Sequence, residues 1–468
     1  MGGAAPRSGR PALPSTLGHL LSTVNQKGPR CGILNRCSGR DGGGDVTTEF
    51  GGAPAAGSGW TAGALLQLFR EQDETTRATI ATRSGLARST IALRLDELIG
   101  AGLIGPAARA ISTGGRPPIT FSLAAESRLV AGADLGAGHL TVGLADLRGR
   151  MLGTTTRTGA ISRGPEVTLA DTADALDELL TAQGRSRADV LAVGVGLPGP
   201  VEHSSGRARR PPIMPGWDGF DVPAWIARET GISAFVDNDV NLMAIGERHA
   251  ARPEVADLVY VKVSTGIGAG IVSGGRLQRG ALGAAGDLGH LAVPGAEQVP
   301  CTCGNTGCLE AIASAPVLIR ALGLESGSQI AELVQAQDPE AIAAVREAGR
   351  SIGAVLASVV SLLNPSVVVL GGQLAEAGDV LLAGIREIVY RRATPLATEH
   401  LEIVSSRTGQ TAGVLGAVRL ALDEALSAEA VDRLVGRAVA VRPALVAAPA
   451  AAEAHGRAGA TPAASALG

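Results

Sequence analysis

Val259-Tyr-Val-Lys-Val-Ser264-Thr265-Gly266-Ile-Gly268-Ala-Gly270-Ile271-Val272 reads as a strand, a glycine turn and a second strand. It weakly repeats Val130-Ala-Gly-Ala-Asp134-Leu-Gly136-Ala-Gly138 with the following Leu140-Thr-Val-Gly-Leu144, about 130 residues earlier. Two lobes, each opening with a glycine hairpin, are expected to face each other across a cleft. The remaining sequence around the two hairpins alternates strand-like and helix-like stretches, which makes the architecture α/β.

Glycines at such turns let backbone N–H groups approach phosphate oxygens with no Cβ in the way, and a nearby aspartate can hold a metal-bound phosphate. The candidate nucleotide-binding residues are therefore Asp134 and Gly136 in the first hairpin and Thr265, Gly266 and Gly268 in the second. A third glycine pair, Gly371-Gly372, ends a buried strand after a long apolar helix and is placed to receive a nucleoside. Glycine hairpins are also ordinary tight turns, so the pattern alone does not separate a phosphate cradle from a turn.

Downstream of the second hairpin, Asp287-Leu-Gly-His290 is followed by Cys301-Thr-Cys303-Gly-Asn-Thr-Gly-Cys308-Leu-Glu310. Of the five cysteines in the chain, three fall within this short run. Thiolates at i and i+2 with a third five residues on, separated by tight glycine turns, can converge on one tetrahedral ion if His290 supplies the fourth ligand. A Cys3His set suits zinc. Four protein ligands leave no open position, so the site is expected to be structural.

At 468 residues with 45% hydrophobic content, the chain has material for several cores. A net charge of −3 excludes a global basic excess, so any nucleic-acid surface has to be local. Lys27 and Lys262 are the only lysines; we read this first as coding bias and only second as phosphate chemistry. No charged leader precedes an apolar core and no apolar run reaches membrane-spanning length, which predicts a cytoplasmic protein with no membrane partner. Residues 1–59, rich in Gly, Pro, Ser and Ala and carrying Cys31 and Cys37, and the Ala/Pro tail 438–468 are expected to be disordered.

Residues 60–124 read differently. An apolar stripe (Leu65, Leu66, Leu68, Phe69) marks one helix, Thr76 caps a second, Ser84-Gly85-Leu86 turns the chain, and a third helix runs from about Arg88 to Ile99. Ile91, Leu95, Leu98 and Ile99 are predicted to share its buried face, leaving Arg88, Ser89, Thr90 and Arg94 free. Leu103 to Leu123 can form a two-stranded hairpin whose tip, Ser112-Thr-Gly-Gly-Arg116-Pro-Pro118, carries another arginine. Helix, helix–turn–helix and hairpin in this order are the layout of a winged helix-turn-helix, which lays its third helix in the major groove and its wing on backbone or minor groove. Arg88, Ser89, Thr90, Arg94 and Arg116 are the candidate DNA-binding residues; a small helical adaptor with solvated arginines is the plainer alternative.

The cysteine cluster, Leu197-Pro198-Gly199-Pro200-Val201, Val236-Asp-Asn238-Asp239-Val-Asn241, Ser264-Thr-Gly-Ile-Gly-Ala-Gly270 and Leu370-Gly-Gly372, in this order, resemble the ROK family of repressors, open reading frames and sugar kinases. The resemblance implies an actin-like, ribonuclease-H-like duplicated fold over 127–426 and a sugar in the interlobe cleft. It implies that Gly199, Asn238, Asp239, Asp287, His290 and Glu310 surround the sugar, with Asp239 the general base in the kinases. One nitrogen of His290 would face zinc and the other a sugar hydroxyl. Two departures stand out. The family's kinases usually carry Asp-x-Gly-Gly-Thr-Lys in the first hairpin, where this chain has Asp134-Leu-Gly136-Ala137-Gly138-His139, and Asp287 stands where the family usually has glutamate.

Two functions follow as expectations. One is a sugar-responsive regulator, with repression relieved by sugar, that binds operator DNA as a homodimer or homotetramer and takes a sugar or sugar phosphate as effector. The other is an ATP- and Mg2+-dependent hexose kinase carrying an added DNA-binding segment. The helical module and the altered first hairpin favour the regulator.

Overall fold

The computed structural model describes residues 59–72, 74–107 and 119–446, with side chains to residue 437. The leader with Cys31 and Cys37, the hairpin tip with Arg116, and the residues beyond 446 lie outside the described residues.

The N-terminal unit holds α1 (Ala62–Glu71), β1 (Thr75–Thr76), α2 (Arg77–Ser84), α3 (Arg88–Gly100), β2 (Ile104–Pro106) and β3 (Thr120–Leu123). Thr61 and Thr76 cap α1 and α2 by accepting the amides of Ala64 and Thr79, and Gly85 ends α2 at φ 68°, a left-handed turn that favours glycine. β2 and β3 pair antiparallel as expected, and β1 adds a third strand that the sequence reading missed. Ile91, Leu95 and Leu98 are buried, but Ile99 is 39% exposed. It lies one residue past Leu98, about 100° around the helix and off the buried stripe.

Two five-stranded sheets follow. The first contains β4 (Leu129–Leu135), β5 (His139–Asp146), β6 (Met151–Thr158), β7 (Val190–Leu197) and, beyond the small hairpin β8 (Val201–Glu202) and β9 (Arg207–Ala208), β10 (Ser233–Asn238). The second contains β11 (Leu258–Val263), β12 (Ile267–Ser273), β13 (Arg276–Leu277), β14 (Val367–Gly371) and β15 (Glu402–Ser405). The strand orders, β10-β7-β4-β5-β6 and β13-β12-β11-β14-β15, are one topology written twice: an antiparallel meander extended by two parallel strands. The weak sequence repeat is therefore a structural duplication, and each glycine hairpin is the first turn of its lobe. β4 and β14 are buried along their whole length, because both sheet faces are covered.

The helices α4 (Pro165–Ala182) and α5 (Val222–Thr230) belong to the first lobe. α7 (Leu309–Ala313), α8 (Ala315–Ala321), α9 (Ser328–Gln335), α10 (Pro339–Leu363), α11 (Asp379–Arg392) and α12 (Pro395–Thr398) belong to the second. Between the lobes lie α6 (Asp239–Ala251) and α13 (Ala412–Ala425), packed nearly backbone to backbone. A Cβ on Gly416 would collide with the Leu242 carbonyl, and one on Gly246 with the Ala412 carbonyl.

The last helix, α14 (Ala428–Val446), runs on into the stretch from 438 that its composition suggested would lack structure. It packs on α1 through one core in which Leu65, Phe69, Leu422, Leu426 and Val431 are buried together. The Gly63 amide donates to Asp432 Oδ1 at 2.8 Å, Gln67 Nε2 to the Leu426 carbonyl at 2.9 Å, and Arg70 pairs with Asp423 at 2.6 Å. Among the described residues no helix is long and apolar enough to cross a membrane.

Candidate functional site

The parallel strand β10 ends by delivering its carboxyl end to the cleft, and α6 begins there. Asn238 is the helix cap: its side-chain oxygen accepts the amides of Val240 and Asn241, and its Nδ2 donates to the Gly199 carbonyl at 2.8 Å. Asp239, the first residue of the helix, is 3% exposed, and its Oδ2 accepts from Lys262 Nζ at 2.5 Å. Burial opposes the Lys262 charge, but the Asp239 carboxylate and, behind it, Asp134 outweigh burial and hold the ammonium above its ordinary pKa.

These groups line a solvent-open cleft that contains every residue expected around a sugar: Gly199, Asn238, Asp239, Asp287, His290 and Glu310. Glu310, in the first turn of α7, accepts the Ile267 amide through Oε2 at 3.0 Å, which ties it to the second glycine hairpin. Asp287 is exposed at the rim. A second interlobe ion pair, Arg279 Nε to Asp237 Oδ2 at 2.6 Å, pins the loop before Asp287 to the end of β10.

The candidate nucleotide residues separate. Thr265, Gly266 and Gly268 line the same cleft. Gly136 does not; it lines a separate pocket with His139, whose imidazole folds over the place where a Cβ on Gly136 would sit and lies 3.7 Å from Asp134. Gly371 and Gly372 press on Tyr260 and Val263 of their own sheet.

The four expected metal ligands do converge. One ligand atom from each of His290, Cys301, Cys303 and Cys308 lies within 4.8 Å of the others. Cys301 Sγ is 3.7 Å from His290 Nδ1 and Cys303 Sγ is 3.7 Å from Cys308 Sγ, close to the roughly 3.8 Å edge of a tetrahedron with Zn–S bonds of about 2.3 Å. Gly304 and Gly307, at φ 94° and 74°, make the left-handed turns of the knuckle. Burial, with the neighbouring thiols, pushes Cys308 up to about 12, so the three thiols could ionise together only against a cation. The donor set fits zinc, which these four residues would hold, with His290 Nδ1 the ring nitrogen on the cysteine side.

On α3, Arg88 and Ser89 are exposed and Thr90 is half-buried. Arg94 is not free: its Nη1 donates to both Glu97 oxygens, at 2.9 and 3.2 Å, and its Nε is buried without a partner.

A duplicated α/β body with an interlobe cleft that carries Asn238, Asp239 and Glu310, and a Cys3His knuckle beside it, defines a sugar-kinase-like class of domain. The chain belongs to the ROK family, whose family model matches residues 130–424. It is 27% identical to the xylose repressor of Caldicellulosiruptor bescii, over 78% of this chain and 95% of that protein. The crystal structure of a ROK family transcriptional regulator, a homolog of the E. coli MLC protein, superposes with a TM-score of 0.68 at 27% identity, covering 80% of this chain and 98% of the other. A ROK glucokinase from Streptomyces griseus, solved with glucose and AMPPNP, gives a TM-score of 0.54 at 28% identity and covers 62% of this chain and 98% of its own.

Proposed function

We propose that the chain is a sugar-responsive, DNA-binding transcriptional regulator of carbohydrate genes, acting as a repressor. The observation that carries this is the unit before the ROK body, which in this reading is a winged helix-turn-helix. The repressor and regulator relatives cover 78% and 80% of this chain, reaching into the unit before the ROK body, whereas the glucokinase covers 62%.

In this reading a sugar sits between the lobes against Asn238, Asp239, Asp287, His290 and Glu310. Zinc is structural: it fixes the His290 ring so that Nε2 meets a sugar hydroxyl. Sugar favours one closure of the lobes, and that closure sets the spacing of two operator-binding modules in a homodimer or homotetramer against half-sites about 34–36 Å apart. The test is operator affinity measured against a panel of neutral pentoses and hexoses. Release by at least one sugar is expected; an affinity that no sugar changes overturns the reading.

The ATP-dependent hexose kinase remains the competing reading, supported by the retained Asp239 and the glucokinase likeness. His139 over Gly136 weighs against it. Turnover of ATP with a hexose, abolished by Asp239→Asn, would favour the kinase.

A further inference from the structure

Two buried carboxylates lie close together, Asp239 lining the cleft and Asp134 behind it. Asp134 is the last but one residue of β4, where its register partner on β7 is Gly196, and Asp239 opens α6. A Cβ on Gly196 would lie 3.6 Å from both Asp134 Oδ1 and the Asp239 Cα, so the two residues flank one point. They are 2% and 3% exposed. Buried carboxylates need compensating charge. In phosphoryl-transfer sites that charge is commonly a divalent cation bridging protein and phosphate oxygens.

Here the charge comes from the chain. Along β11, Val259, Val261 and Val263 turn into the core of the second lobe, while Leu258, Tyr260 and Lys262 alternate with them. Lys262 thus leaves the sheet on the α6 side, and its ammonium reaches Asp239 Oδ2 at 2.5 Å. In the first hairpin the His139 imidazole occupies the space over Gly136 that a phosphate cradle would leave open. The residues present therefore do not fit a metal nucleotide.

We propose that Lys262 is a built-in cation: its ammonium stands where a divalent metal would otherwise balance Asp134 and Asp239, so the cleft takes a neutral sugar with no metal nucleotide. This rests on reading the cleft as a sugar sensor. Lys262 is a positioning residue. Burial raises the Asp239 pKa and the Lys262 ammonium works against that rise, orienting Oδ2 so that the carboxylate is presented as an acceptor for a sugar hydroxyl. It does not make an anion site, because Asp239, Asp287 and Glu310 line the same cleft and would repel a sugar phosphate.

The test is Mn2+ binding to the full-length, zinc-loaded protein, followed by the electron paramagnetic resonance of free Mn2+. Wild type is expected to hold no Mn2+ that Asp134→Asn removes. Lys262→Met, which keeps the alkyl stem, should bind Mn2+ about tenfold more tightly or better, the scale expected from removing one adjacent like charge; Lys262→Met/Asp134→Asn should lose the gain. Mn2+ binding by wild type that Asp134→Asn abolishes would overturn the proposal without any lysine variant. So would a well-folded Lys262→Met, by circular dichroism, with no gain in Mn2+ affinity. Calorimetry with D-xylose and D-glucose separates the two readings. Sugar affinity unchanged by Mg2+ in wild type supports both, and a requirement for Mg2+ overturns the built-in cation. If neither sugar binds while the Mn2+ pattern holds, the sugar-sensor assignment loses support and the built-in cation stands.

Discussion

Cys303 and Glu247 set the two sharpest expectations at the scale of single residues. Replacing Cys303 by serine removes one of four converging ligands, so zinc by elemental analysis should fall from about one per chain toward none. The melting temperature should fall with it, and sugar affinity should weaken because the His290 ring loses its anchor; retention of full zinc would exclude Cys303 as a ligand. Glu247, fully buried on α6, accepts the amides of Arg407 and Thr408 and the hydroxyls of Ser406 and Thr408, and pairs with Arg252. Burial alone would raise its pKa, but these donors hold it below the ordinary 4.5. A depressed folded pKa gives stability that is present above the unfolded value and lost as pH falls through the folded one. Denaturation between about pH 6 and pH 3 should show a steep acid limb in wild type and a flatter one in Glu247→Gln. Glu247→Ala, which strands buried Arg252, should cost about 3–5 kcal/mol at neutral pH.

Among the elements, α3 carries the prediction about DNA. Arg88 is exposed in its first turn, whereas Arg94 is held by Glu97. Arg88→Ala should therefore lower operator affinity about tenfold and reduce the salt slope by about 1. Arg94→Ala should have a smaller effect, and equal, undiminished affinity in both variants would remove α3 from the interface. Much of this layer was legible beforehand, because it rests on local chemistry: threonine caps, a left-handed glycine after α2, and cysteine spacing that closes on one point. What was not legible depends on partners distant in sequence. Ile99 counts as apolar in any pattern, yet only the rest of the unit decides which stripe is covered. Lys262 was visible as one of two lysines and was read as composition; its role appears only when β11 sets it beside a residue 23 positions earlier.

For the whole molecule, the cleft and the N-terminal unit are joined by α6 and α13. Asn238 and Asp239 begin α6, and near its far end His249 accepts from Arg419 Nη1 at 3.1 Å. Burial and then the Arg419 guanidinium hold that imidazole below its ordinary pKa, which suits it as an acceptor. Arg419 pairs with Asp423 at 2.8 Å and Asp423 with Arg70 of α1 at 2.6 Å. The seam thus runs from the helix that touches the cleft to the helix beside α3. Asp423→Ala should shrink the sugar-dependent change in operator affinity while leaving sugar affinity within about twofold. Operator titrations with and without the releasing sugar measure this, and an undiminished change would show that coupling travels elsewhere.

The packing of α14 on α1 also bears on how the chain is made. The unit that leaves the ribosome early lacks part of its own core until some three hundred residues later, when Leu426 and Val431 emerge to cover Leu65 and Phe69. During translation that unit therefore has an apolar flank that stays uncovered until both lobes have been synthesised. A nascent or C-terminally clipped chain carries the helices of the module without the residues that close this flank.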